Sequence, residues 1–338
     1  MNPDAAPPAQ QAAMPLVPAQ GAAQALVPAQ QAAMPLRVLV VDDEPDVAAV
    51  TRLSLRGMHH SGRPVELTVA TTGAAAVDAM RSDPGIAVIL LDVVMETDTA
   101  GLDACRAIRD DLGNRYVRIL LRTGQPGVAP ERATIDDYDI DGYLPKTELT
   151  TNRLYAAVRT ALKAYEELID LDRYRQVLLL LNETAVSLHP YEPFDVMLQR
   201  ILGAAVALVP TPLAVVGLHV RPPGGAEPRN WLLHLSTSAD ATDVAAAAAA
   251  AAERIEAHLA EQDEPEAGSA AGGYLVPFSL HQGLGEGWLY VDGAVADSLA
   301  RAAMPLLAAH AANALYSAAV QPPEAPVQHA VIAEGSRP

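Results

Sequence analysis

Residues 88–97 read VILLDVVMET. Val88, Ile89, Leu90 and Leu91 run without a polar break into Asp92. A short uninterrupted apolar run is what a strand buried on both faces of a parallel sheet looks like. A lone carboxylate in such a setting is costly. The stretch therefore predicts a central strand, and it raises the question of what offsets the charge of Asp92 at its end.

The flanking chain repeats the same alternation. RVLVV (37–41), VELTVA (65–70), IAVILL (86–91), VRILLR (117–122) and DGYLP (141–145) read as strands. Between them, helices are expected from Pro45, where proline suits the first turn, over 73–82 and 101–112, near 130–138, and from about 148. Five strands separated by helices imply a parallel sheet covered on both faces. In such sheets the chemistry lies at the carboxyl ends of the strands.

Those ends carry a consistent set. Asp42, Asp43 and Glu44 follow the first strand, Asp92 the third, Thr123 and Gly124 the fourth, and Lys146 the fifth. Converging carboxylates repel, and a hard divalent cation resolves the conflict. Mg²⁺ suits oxygen donors and keeps waters and phosphate oxygens in its shell. Asp43 and Asp92 are the expected direct ligands. Asp42 is expected to help directly or through water, and the carbonyl of Val94 is a backbone candidate. A carboxylate is also a nucleophile toward phosphorus. Lys146 and the cation then neutralise charge while Thr123 supplies a hydrogen bond. Each piece alone has a plainer alternative. The acids suit a helix's first turn, Thr123-Gly124 suits a turn, and most lysines are solvated.

Taken together, VVDDEPD (40–46), LLDVVME (90–96), LLRTG (120–124) and GYLPK (142–146) resemble the receiver domain of two-component response regulators, over about 37–165. The resemblance implies a flavodoxin-like fold in which Asp92 accepts phosphate from a sensor histidine kinase or phosphotransfer protein. It also implies that Thr123 and Tyr143 form the switch pair. There are departures. Glu96 stands where many receivers have proline, the METDTAG loop is one residue longer, Thr147 replaces proline after the lysine, and Arg122–Gly127 suggests an extended loop. With DVVMETDTAGL, LRTGQPGVAPER and TELTTNRLYAAV, these departures resemble receivers joined to DUF3369, a domain found in front of cyclic-di-GMP enzymes. Val94 and Gln125 sit where receivers tune phosphate lifetime. An apolar Val94 cannot hold an attacking water, which implies slow autodephosphorylation unless both residues only pack the loop.

Outside 37–165 the chain divides further. Residues 1–36 are expected to be a disordered or partner-docking arm, built on the decapeptide repeat PAQQAAMPLV (8–17), PAQGAAQALV (18–27) and PAQQAAMPLR (28–37), too short for a solenoid unit. Residues 154–188 read as a connecting helix. Apolar positions 154, 158, 161, 165, 168 and then 171, 174, 178, 181, 185, 188 change phase by one between 168 and 171, a stammer in coiled-coil terms. A parallel homodimer is expected, against the alternative of a helix packed on its own domain. Residues 190–318 read as an α+β unit, helices at 193–209, 241–261 and 295–318 around strands at 212–221, 230–237, 274–280 and 287–292. This resembles a GAF or PAS module, as DUF3369 would imply. The tail 319–338 is proline-rich and expected to be disordered.

The remaining features are less specific. His219, His234 and His281 show no metal-ligand spacing, and Trp231, Trp288 and Tyr290 suit core packing better than a pocket. Cys105, the single cysteine, excludes an intramolecular disulfide. The net charge of −18 argues against a nucleic-acid or anionic-lipid face. With no signal peptide and no membrane-length apolar window, a cytoplasmic protein is expected. No GGDEF, HD-GYP, kinase or basic recognition-helix motif is present. The expected function is therefore a non-enzymatic response regulator, at most phosphorylating and dephosphorylating itself. It would signal by dimerisation or protein contacts, with a cyclic-di-GMP enzyme in trans as one target. A phosphate sink and a small-ligand sensor are the alternatives.

Overall fold

The computed structural model describes residues 34–124, 137–189, 191–221, 227–236 and 241–320, the side chains of 241–243 excepted. The first unit holds strands β1 (Leu36–Val41), β2 (His59–His60), β3 (Arg63–Ala70), β4 (Ile86–Asp92), β5 (Arg118–Thr123) and β6 (Gly142–Pro145). Its helices are α1 (Pro45–Ser54), α2 (Gly73–Ser82) and α3 (Ala100–Arg106). The strand order is β2-β3-β1-β4-β5-β6. All pairings are parallel except β2–β3. The sheet thus has one strand more than expected, because the chain after α1 turns back as a two-residue antiparallel edge.

Alternation along the strands builds two cores. Leu39, Val41, Ile89, Leu91, Ile119 and Leu121 pack with Ala76, Met80, Leu102 and Ile108 on the side of α2 and α3. Val38, Val40, Val88, Leu90 and Leu120 face Ala48, Leu55, Leu154, Val158 and Leu162 on the other. Every residue of β4 is buried, as the run IAVILLD demands. Local sequence starts the helices, since Thr72 accepts a hydrogen bond from the Ala75 N–H at 3.1 Å and Pro45 opens α1.

The helix expected to end at Leu112 leaves α-geometry after Arg106 and continues as a π-turn over Ala107–Asp111. Arg109, in that turn, donates to the carbonyls of Asn114 and Val117 at 2.9 Å and to that of Asp139. The helix expected near 130–138 lies largely outside the described residues, as do the repeat arm and the tail.

One helix, α4, runs from Thr151 to Ser187 without interruption. Leu154, Val158, Ala161 and Leu162 are buried against the first sheet, whereas Val177 and Leu181 enter a second core. Glu166, between these segments, is held by Ser61 at 2.7 Å, His60 at 3.0 Å and Arg63 at 3.5 Å. The apolar ladder over 154–188 is thus divided between two cores. Each end of the apolar ladder is spent on its own domain, and only Leu171, Tyr174 and Leu178 in the middle remain 54–66% exposed.

The second unit holds α5 (Phe194–Leu208), β7 (Leu213–Val220), β8 (Arg229–Ser236), α6 (Ala241–Ala260), β9 (Gly268–Ala270), β10 (Gly273–Leu280), β11 (Gly285–Asp292) and α7 (Ser298–Val320). Its strands form one antiparallel sheet in the order β8-β7-β11-β10-β9. Ala214, Val216, Leu218 and Val276 face α5, α7 and the end of α4. Val215, Leu275, Trp288 and Tyr290 face the alanine-rich α6. The Trp288 indole lies against Gly217, where a side chain would overlap it. Strand β9 was not expected, because Gly-Ser-Ala carries no strand preference. No helix among the described residues is long and apolar enough to cross a membrane.

Candidate functional site

The register of the first sheet builds the site. Val41 pairs with Leu91, so Asp42 and Asp92 emerge side by side at the carboxyl ends of adjacent strands. The strand order reverses between β1 and β4, and that reversal opens the crevice in which such sheets place their ligands. Asp42, Asp43 and Asp92 each offer a carboxylate oxygen within 4.8 Å of the others. Asp42 and Asp92 are buried while Asp43 is exposed.

Lys146 answers the question posed by Asp92. It starts the turn after β6, and its Nζ lies 2.7 Å from Asp92 Oδ2, 3.1 Å from Asp42 Oδ2 and 3.3 Å from Glu44 Oε1. The other Asp92 oxygen accepts the Val93 N–H at 2.9 Å. Burial raises the Asp92 pKa above the usual carboxylate range, although the hydrogen bond and charge of Lys146 pull it down. For Lys146, burial acts to lower the pKa. The hydrogen bond and charge of Asp92, with those of Asp42, outweigh it and hold the pKa above the lysine norm. The ammonium keeps more contact with solvent than the carboxylate does, so the cost of charge falls on Asp92.

Backbone packing fixes the acceptor from behind. The Gly101 N–H donates to the Val93 carbonyl at 3.0 Å. A Cβ on Gly101 would overlap the Asp92 carbonyl oxygen and approach Asp92 C and Val93 Cα to 2.9 Å. Glu96, the departure from proline, accepts the Gly73 N–H at 2.9 Å and so places a negative charge on the first turn of α2.

The other sequence-nominated residues fall as follows. Thr123 ends β5 beside this edge and is buried. Tyr143 pairs with Leu121 across β5–β6 and is partly buried on the α2–α3 side. Val94 packs partly buried against that same core. Gln125 lies outside the described residues.

Arg122 is the residue the sequence reading missed as part of the site. It pairs with Asp92 in the sheet register and is 1% exposed. Its Nη2 donates to Asp42 Oδ2 at 2.8 Å, and its Nη1 to Thr51 Oγ1 at 2.8 Å. The available signal was the arginine that closes the otherwise apolar strand VRILLR (117–122).

In the second unit, His219 bonds Asn230, and His281 bonds Asn313 at 2.9 Å and meets Tyr316 edge-on. Trp231 packs on Phe194 at 4.8 Å, and the buried Tyr290 bonds the Ala271 carbonyl and Asp292. The three aspartates are the metal-suited cluster found among the described residues. Cys105 is fully buried, and burial pushes its thiol up to about 12.

Residues 38–159 match the family of response regulator receiver domains. These residues form a receiver domain. A 3'3'-cGAMP-specific phosphodiesterase 2 of Vibrio cholerae serotype O1 is 48% identical over 134 residues, 40% of this chain and 26% of that protein. Response regulator MprA of Mycolicibacterium vanbaalenii is 38% identical over 133 residues, 38% of this chain and 52% of that protein. A solved receiver domain protein of Clostridium thermocellum is 20% identical, with a TM-score of 0.34, over 39% of this chain and 98% of its own. The chain thus spans about a quarter of the first relative and about half of the second. A receiver domain is the phosphoacceptor module of two-component signalling, and that role is supported by the response-regulator relatives.

Proposed function

We propose that Asp92 is the phosphoacceptor of a two-component relay fed by a sensor histidine kinase or phosphotransfer protein. One observation carries this reading: Asp92 ends a fully buried strand, inside a cluster of three carboxylates and 2.7 Å from the Lys146 ammonium. In the transfer, an Asp92 oxygen forms a bond to phosphorus while the phosphorus–nitrogen bond of a phosphohistidine breaks, its electron pair returning to the imidazole. Lys146 balances the charge that collects on the phosphoryl oxygens, and Thr123 supplies a hydrogen bond to them. Tyr143, on the neighbouring strand, forms the switch pair with Thr123.

The oxygen-only donor set of Asp42, Asp43 and Asp92 fits Mg²⁺. Asp43 and Asp92 would hold the ion with help from Asp42 and the Val94 carbonyl, and it would supply further neutralisation of the transferring group.

The second unit is assigned to a GAF/PAS-like, DUF3369-like module, supported by its antiparallel sheet between helices. Output is assigned to a homodimer or to protein contacts. The exposed Leu171, Tyr174 and Leu178 of α4 support the dimer. A cyclic-dinucleotide enzyme acting in trans is the favoured target, in line with the phosphodiesterase relative. A cytoplasmic location follows from this role.

The test is incubation with a small phosphodonor and Mg²⁺, followed by intact mass and light scattering. Wild type gains one phosphoryl group and Asp92→Ala does not. A gain that survives Asp92→Ala rejects the assignment. Absence of any change in oligomer size rejects the dimer output.

A further inference from the structure

Arg122 is difficult to explain as packing. It is buried beside a buried carboxylate, and its Nε lies buried without a hydrogen-bond partner. An apolar side chain of similar length would fill the same space at lower cost. What the guanidinium does instead is occupy Asp42. Nη2 reaches Asp42 Oδ2 at 2.8 Å, the oxygen that Lys146 also approaches at 3.1 Å, while Asp42 Oδ1 accepts the Glu44 N–H at 3.1 Å. Thr51 steers it, accepting from Nη1 at 2.8 Å and donating to the Val47 carbonyl at 2.8 Å. Both oxygens of Asp42 are thus engaged by protein donors, and its charge is compensated within the chain.

We infer that Arg122 is a built-in counter-charge that occupies Asp42 and thereby sets the divalent-cation affinity of this site low. The inference rests on the reading of the aspartates as a cation site. Without Arg122, three carboxylates face the crevice with Lys146 as their close cationic partner. A divalent cation then takes over the compensation that the arginine provided. Arg122 is accordingly a positioning residue: it acts through Asp42 and leaves Asp43 and Asp92 as the direct ligands.

The test uses the full chain and Mn²⁺ as the probe, with bound and free ion separated by electron paramagnetic resonance. Asp43→Asn abolishes binding if the aspartates form the site; wild-type binding unaffected by Asp43→Asn overturns the underlying reading. Given Asp43-dependent binding, Arg122→Met is expected to bind Mn²⁺ at least tenfold more tightly than wild type, and Arg122→Lys within a few-fold of it. If Arg122→Met does not fold without metal, Arg122→Gln, which keeps a donor and drops the charge, carries the same expectation. A neutral variant that folds and binds Mn²⁺ no more tightly than wild type makes Arg122 a structural residue only and overturns the inference.

Discussion

Replacing Gly101 by alanine separates backbone packing from helix propensity. The added Cβ would overlap the Asp92 carbonyl oxygen and sit 2.9 Å from Asp92 C and Val93 Cα. All three are backbone atoms of β4 or its exit, so no flexible side chain can give way. Overpacking of this kind costs about 1–3 kcal/mol, and here the upper end applies. Alanine returns at most about 1 kcal/mol of helix preference over glycine. The net expectation from those two terms is a loss of about 2 kcal/mol. Gly203 is the internal control, since it lies in α5 with open space around its Cβ position. Gly203→Ala is expected to gain about 0.5–1 kcal/mol. The same chemical change should therefore move stability in opposite directions. Urea unfolding followed by circular dichroism reads both, and phosphodonor labelling reads the displacement of Asp92, which should slow in Gly101→Ala. A Gly101→Ala protein as stable as its parent, labelled at the parental rate, would refute the reasoning.

Other perturbations follow from the same contacts. Glu96→Ala removes the carboxylate that accepts the Gly73 N–H and should cost about 1 kcal/mol; Glu96→Gln, which keeps an acceptor, should cost less in the same urea assay. Asp92 has a pKa raised above 3.8 by burial, so the folded state binds its proton more tightly than the unfolded chain does. The stability this contributes is present below 3.8 and lost as pH rises through the folded value. In metal-free buffer Asp92→Asn should thus be more stable than wild type at neutral pH, with the difference vanishing in acid; unfolding curves across pH check it, and a less stable variant at neutral pH contradicts it. Cys105, with its thiol at about 12 and no exposure, should resist a thiol reagent in the native protein and react in denaturant. Rapid native labelling would show that the core around α3 opens.

The legible part of the fold was the part with uniform periodicity. VILLD and RVLVV read as buried parallel strands, and their carboxyl ends nominate Asp42, Asp43 and Asp92 without any register. The register itself supplied what the sequence could not. Val41 opposite Leu91 brings Asp42 beside Asp92, and Asp92 opposite Arg122 brings the guanidinium within reach of Asp42. A single buried arginine carries no periodic signal, so its place in the strand was legible but its pairing with Asp42 was not. The π-turn at Ala107–Asp111 and the edge strand His59–His60 escaped for a related reason. Both are short, and they follow from tertiary contacts such as the Arg109 bonds to three carbonyls. The phase change in α4 was visible, but its cause was the passage of one helix from one core to another.

That passage sets a limit on dissection. A chain ended near residue 165 keeps the leucines and valine that α4 gives the receiver, yet severs the helix beside Glu166, which anchors the β2–β3 hairpin. A chain begun near 190 loses Val177 and Leu181 from the second core and Arg173, the ion-pair partner of Asp297. A cut made at either apparent boundary therefore removes part of a neighbour, and melting one half releases a segment the other half needs. Stability measured on the separate pieces will not add up to that of the intact chain.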